Sequence, residues 1–124
     1  MSEQARLFEA GPDPFGRMWK VQFRWLQTGI SIRHADTVDV KFFVTPAAGD
    51  TEEKVIALPH PMLLRLTENG RKLTDSYCMR LAAEHLRHMI ETSEDMEKTL
   101  VTVSQQELAE YHRKLNGVTV SANR

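Results

Sequence analysis

The sequence predicts an α+β fold, a single domain in which an antiparallel β-meander is followed by about three helices packed on one sheet face. Three observations predict it. The stretches "WKVQFRW" (19–25) and "VDVKFFV" (38–44) alternate apolar and polar residues, the period of two that sends every second side chain to one face of a strand. Strand patterns come first along the chain and helix patterns second, an order that suits helices laid on one side of an antiparallel sheet rather than βαβ crossovers. A chain of 124 residues, 41% hydrophobic and 27% charged, is long enough for one core and too short for two.

Residues 1–16 hold few apolar side chains and end in "GPDPFG", where two prolines and two glycines break regular structure. They are expected as a flexible N-terminal segment, with the α+β domain over 17–117 and a C-terminal tail over 118–124. In the first strand Trp19, Val21, Phe23 and Trp25 share the inner face, and Met18, Lys20, Gln22, Arg24 and Leu26 share the outer one. The chain resumes after "QTG" with Ile30 and Ile32, turns at "RHADT", and alternates again through Val38, Val40, Phe42 and Val44, with Lys41 and Phe43 facing outward. "TPAAGDTEEK" reads as a polar loop and "VIALP" as the next strand, closed by Pro59 and Pro61, which cannot donate to a ladder. The sheet is thus expected to hold three to five strands over 17–59.

Pro61 suits the first turn of a short helix through "MLLRLTE", stopped by Asn69-Gly70. A long helix follows, capped by Thr74 or Asp75, stapled by Leu73 against Cys78, and ending near Thr92. The third helix carries the sharpest signal: Ser104 and Glu107 form a capping box, Val103 and Leu108 a hydrophobic staple, and Gly117 follows its end. Between the last two helices "SEDMEKTLVTV" is an acidic linker with an apolar run suited to an extra strand, and "VTVSANR" is a terminal edge or a frayed end.

One local resemblance falls on these helices. "LLRLTENGRKL" is similar to the segment where the wing of winged-helix repressors of the multiple-antibiotic-resistance type passes into their dimerisation helix, with matches at Leu66, Thr67, Glu68, Gly70 and Arg71. In such repressors a helix-turn-helix precedes that segment, whereas strand patterns occupy those positions here, so the match assigns no family.

At 100° per residue, Cys78, Met79, Ala82, Ala83, Leu86, Met89 and Ile90 form the core face of the long helix. Glu84, His88 and Glu91 lie opposite, with His85 at the boundary, so His85-x-x-His88 reads as helix surface. Two histidines at that spacing can also give two metal ligands, with Glu84 or Glu91 as a third, but no His-Glu-x-x-His or Cys-x-x-Cys accompanies them, and neither a metal nor another cofactor is predicted. His112 shares a face with Leu108, Tyr111 and Leu115, so it is expected at the core or an interface; His34 falls in a turn and His60 between prolines. Cys78 sits near a helix N-terminus, where the dipole favours a thiolate, yet on the apolar face it reads as a core residue.

With 16 basic and 17 acidic residues, no bulk field holds nucleic acid or an anionic membrane, so neither is an expected partner. The lone cysteine and the lack of a long apolar run lead to the expectation of a cytoplasmic protein. No nucleophile, phosphate-loop or dinucleotide motif appears. The expected function is a small non-enzymatic interaction domain, homodimeric, with a protein or small-molecule partner. Its binding surface would combine Met18, Lys20, Arg24, Leu26, Lys41 and Phe43 on the sheet with Tyr77 and Leu81 on the long helix. The competing class is a metal-binding protein or small enzyme using His34, His60, His85, His88 or His112 in a cleft between sheet and helices. DNA binding is a third reading, and it needs a continuous basic stripe.

Overall fold

A computed structural model of the chain describes residues 7–29 and 37–116. The element order is β1 (Leu7–Ala10), β2 (Trp19–Gly29), β3 (Thr37–Pro46), β4 (Glu52–Pro59), α1 (His60–Leu66), α2 (Asp75–Thr92), β5 (Leu100–Thr102) and α3 (Gln105–Leu115). The predicted α+β class holds. Strands β1 to β4 form the antiparallel meander and the sheet order is β1-β2-β3-β4-β5. The apolar run after the acidic linker is β5, and it pairs parallel to β4 because α1 and α2 carry the chain back across the sheet before it re-enters. Ile30, Ile32, the turn residues 33–36 with His34, and the 118–124 tail lie outside the described residues.

Helix α2 packs against β1, β2, β3 and β4, so one face of the sheet is paved and its side chains are buried. Val21, Phe23, Val38, Val40, Phe42, Val44, Ile56, Leu58 and Val101 form the sheet half of the core; Leu63, Cys78, Leu81, Leu86, Met89, Ile90 and Leu108 form the helix half. The alternation in β3 is realised residue by residue, each even-numbered position buried and each odd-numbered one only partly so. Thr74 caps α2 by accepting from the Tyr77 amide, and Ser104 with Glu107 closes the capping box of α3, both as the sequence predicts. Cys78 is buried, and burial pushes its thiol up to about 11, against any thiolate role.

Residues 7–16, within the stretch expected to be flexible, form a strand and a turn. Leu7–Ala10 pairs with β2 as an edge strand, and the "GPDPFG" turn is tied by Asp13. Asp13 Oδ1 accepts from the Phe15 and Arg17 amides, each at 2.9 Å, while Oδ2 accepts from Arg17 Nε at 2.9 Å and Trp19 Nε1 at 3.0 Å. Gly11 at φ 120° completes the turn, since a Cβ there would sit 2.9 Å from the Arg17 carbonyl oxygen. Prolines and glycines therefore mark a built turn here, because one carboxylate satisfies four donors at once.

A second buried charge anchors the other side of the sheet. Lys54 lies on the inner face of β4, only 2% exposed, and its amine donates to the Met96 and Lys98 carbonyls at 2.5 and 2.7 Å. That contact fastens the loop between α2 and β5 to the sheet. The positions Glu52–Lys54, read from sequence as loop, belong to β4 because they pair with β3 at Val44, Phe43 and Phe42.

The Asp13 network predicts a specific acid sensitivity. Burial raises the Asp13 pKa, but the hydrogen bonds from Arg17, Trp19 and Phe15 outweigh it and hold the carboxyl at about 2, below its ordinary 3.8. With the folded value depressed, this contribution to stability is complete above 3.8 and is lost as pH falls through about 2. Asp13→Asn, whose amide nitrogen would face two donors, should lower the urea midpoint at neutral pH and flatten the fall in stability between about pH 4 and pH 2. An unchanged pH profile would contradict the assignment.

Candidate functional site

Two regions concentrate the chemistry, the outer sheet face and the contact between α2 and α3. On the outer face, the pairing register lines side chains into cross-strand rows. One row runs Leu7, Gln22, Phe43 and Glu53, and the next runs Trp25, Lys41, Val55 and Leu100. The second row exists because β2 is irregular at Arg24: Phe23 pairs with Phe42, but Trp25 pairs with Lys41.

That one-residue shift exchanges the faces of everything beyond it. Trp25, predicted inward, turns outward and is 37% exposed, and Leu26, predicted outward, pairs with Val40 and packs against the core. The sheet part of the predicted surface is thus corrected from Leu26 to Trp25. Met18, Lys20 and Arg24 are exposed, while Lys41 and Phe43 are partly covered by contacts on their own face. Lys41 Nζ lies 2.7 Å from Glu53 and sits over the Trp25 and Phe43 rings at 5.6 and 5.5 Å; the Arg24 guanidinium stacks over Phe43 at 5.0 Å. Glu9 lies opposite Lys20 in the register. Cations and anions alternate across this face, so the described residues form no continuous basic stripe of the kind DNA binding requires.

The α2 to α3 contact corrects the predicted outer side of the long helix. Leu81 is fully buried and His85 is 2% exposed, because α3 lies along that side. Tyr77 belongs to the same contact and is half-buried. A helical wheel drawn on α2 alone cannot register a neighbour supplied from later in the chain. Two histidine–tyrosine pairs join the helices in opposite senses. His85 Nδ1 meets the Tyr111 hydroxyl at 2.8 Å, and the Tyr77 hydroxyl meets His112 Nδ1 at 2.5 Å. Lys114 closes the edge with a 2.8 Å ion pair to Glu84, which takes Glu84 away from any site with His85 and His88.

Asn116 braces the second pair. Its amide nitrogen donates to the Tyr77 oxygen and to the His112 carbonyl oxygen, each at 2.7 Å, and lies 3.2 Å from His112 Nδ1. Those two bonds use both amide hydrogens, so the Tyr77 hydroxyl is the hydrogen-bond partner of Nδ1. Burial lowers the His112 pKa and so favours the neutral ring. Thr67, Lys72, Tyr77, Arg80, His112 and Asn116 border a cleft of about 200 Å³, small beside the roughly 300 Å³ at which drug-sized ligand pockets begin.

His85 and His88 come together at the other end of the contact, their ring centroids 6.1 Å apart. His88 Nε2 is 3.4 Å from Glu94, which the left-handed Ser93 (φ 61°, ψ 16°) turns back toward the last turn of α2. Glu107, at the third position of α3, reaches the same spot: one ligand atom each from His88, Glu94 and Glu107 lie within 4.8 Å of one another. His85 Nε2 is buried with no hydrogen-bond partner among the described residues. Burial lowers the His85 pKa, opposed by the charges of Glu107, Glu94 and Asp95 that surround it. Glu91, the other carboxylate named from sequence, stays exposed. His60 begins α1 and shares no contact with these groups, and His34 lies outside the described residues.

Comparison with protein-family models, with curated proteins and with solved structures finds no match to this chain. The functional reading therefore rests on the two regions themselves.

The neutral state of His112 has a measurable consequence. With the folded pKa below the ordinary 6.5, its contribution to stability is complete above that value and declines as pH falls below it. In chelator-treated protein the urea midpoint should drop between about pH 8 and pH 5.5, and His112→Gln should reduce that drop. Tyr77→Phe should cost about 1 kcal/mol at neutral pH through the lost hydrogen bond. A His112→Gln protein with the full wild-type pH slope would refute the lowered His112 pKa.

Proposed function

We propose that the protein is a non-enzymatic interaction domain that pairs with a second copy of itself through the outer face of its sheet. The observation that carries this reading is the row Trp25, Lys41, Val55 and Leu100, which runs across four strands on a face that no helix among the described residues covers. Leu7 at 51%, Trp25 at 37% and Leu100 at 59% exposure all lie on this face, and Met18 at 41% precedes it. Exposed apolar groups gathered on one face and bordered by polar ones favour an interaction surface.

The charge pattern favours a second copy as the occupant. A two-fold contact places the same patch on both partners, so it needs both signs within one surface. Lys20, Arg24 and Lys41 stand beside Glu9 and Glu53 on this face, an arrangement that complements its own rotated copy better than it complements a polyanion. The arginine and aromatic groups at its centre are of the types that dominate binding energy at interfaces. The sole cysteine, Cys78, is buried in the core, in keeping with a reducing, cytoplasmic setting.

Sedimentation velocity on the tag-free full chain tests the proposal. The protein should show a concentration-dependent dimer at micromolar loading. Trp25→Glu and Leu100→Glu should each shift it toward monomer by at least about ten-fold in Kd, roughly the 1.4 kcal/mol of a lost central contact, with the circular dichroism unchanged. A wild-type chain that stays monomeric at high micromolar concentration, or a dimer indifferent to both substitutions, would count against it.

A further inference from the structure

We propose that His85, His88, Glu94 and Glu107 form a binding site for a divalent transition-metal ion of the zinc class, which pins the C-terminal end of α2 to the N-terminal end of α3. The site does not depend on the sheet face and would stand if the chain proved monomeric. It rests on two independent observations.

The first is convergence. Ligand atoms of His88, Glu94 and Glu107, drawn from α2, the loop after it and α3, lie within 4.8 Å of one another. Around one zinc ion, ligand atoms at about 2.0–2.2 Å from the metal stand about 3.4 Å apart, so the cluster closes on an ion by small side-chain rotations. The His88 and Glu94 side chains are 42% and 55% exposed and are able to make them.

The second is the buried imidazole beside that cluster. His85 is 2% exposed, and its Nε2 has no hydrogen-bond partner among the described residues. Buried polar atoms are almost always satisfied, so this exception calls for a partner, and an ion held with the neighbouring cluster is one that fits. Glu107, Glu94 and Asp95 act on His85 electrostatically, and the His88 ring centroid stands 6.1 Å from that of His85. On its other nitrogen, Nδ1, His85 is held by the Tyr111 hydroxyl at 2.8 Å. A ring oriented through one nitrogen and open at the other is how protein imidazoles are prepared for a metal. With Nδ1–H donated to the Tyr111 oxygen, Nε2 keeps a lone pair with no partner among the described residues, in a ring whose centroid is 6.1 Å from that of His88.

The donor set decides the class of ion. Two imidazole nitrogens and two carboxylates suit zinc and its neighbours, whereas magnesium and calcium select all-oxygen sites. Glu107 can serve without loss of its helix, because only Oε1 accepts from the Ser104 amide in the capping box. The other carboxylate oxygen takes no part in that bond and is available to an ion.

The test uses tag-free full chain stripped with chelator, titrated with zinc by calorimetry and with cobalt(II) by visible absorption. One equivalent of zinc should bind, the thermal midpoint should rise, and cobalt should give the intense bands of a low-symmetry nitrogen–oxygen site. His88→Ala and Glu107→Gln should each weaken zinc binding at least about ten-fold, while His60→Ala leaves it unchanged. Glu107→Gln keeps a capping-box acceptor, so its folding is preserved even if another variant fails to fold. Absence of stoichiometric zinc, binding indifferent to both substitutions, loss of binding in His60→Ala, or preference for magnesium or calcium would each overturn the proposal.

Discussion

Helix α2 is buried on two sides at once, and most of the molecule is arranged around that requirement. Cys78, Ala82, Leu86, Met89 and Ile90 belong to the core it shares with the sheet, while Tyr77, Leu81 and His85 lie along α3. A helix with one apolar stripe can lie on a sheet and stop there; a helix with two must be covered again. The 93–99 loop, β5 and the capped start of α3 supply the cover by returning the chain over α2. The polar atoms within the second stripe then set its chemistry. An imidazole or phenol buried between helices has to be paired, and the two histidine–tyrosine pairs meet that need with His85 Nε2 left over.

The outer sheet face follows from a different constraint. With three helices all on one side, nothing in the described chain covers the other side, and its side chains must balance solubility against sheet propensity. Lys41 shows the balance, its amine paired with Glu53 and its stem lying between two aromatic rings. The irregularity at Arg24 gives this face a tryptophan in place of a leucine, because it moves Trp25 out of the core phase and Leu26 into it. A bulge that costs one ladder position is more often kept for such a re-aimed side chain than tolerated as a defect.

Features set by near neighbours along the chain are legible in the sequence alone. The Thr74 cap, the Ser104–Glu107 box and the alternation of Val38, Val40, Phe42 and Val44 depend on residues within a turn or a strand of one another, so local pattern suffices. Trp25, Leu81 and His85 depart from the surroundings that local pattern predicts, and for a shared reason: each is decided by a partner far along the chain. Signals for them are present all the same. Trp25 and Leu26 are adjacent large apolar residues that cannot both face the core of a regular strand. Tyr77, Leu81, His85 and His88 repeat at helical spacing, as do Leu108, Tyr111, His112 and Leu115, and two such half-polar stripes on successive helices suit each other. Asp13 has no signal beyond its place between prolines, since its role comes from four donors that converge only in three dimensions.

Lys54 links these parts in a way that bears on the histidine cluster. Its inner-face position on β4 places the amine against the Met96 and Lys98 carbonyls, two and four residues after Glu94. A loop held at those points cannot swing Glu94 freely away from His88, and the left-handed Ser93 fixes the other end. Glu107 is likewise held by its capping box, and His85 by Tyr111. Three of the four proposed ligands therefore come from backbone or side-chain positions constrained by unrelated contacts, which lowers the ordering cost of bringing them onto one ion. The exposed side chains of His88 and Glu94 keep their rotational freedom, so the affinity of the cluster depends chiefly on how much order those two lose.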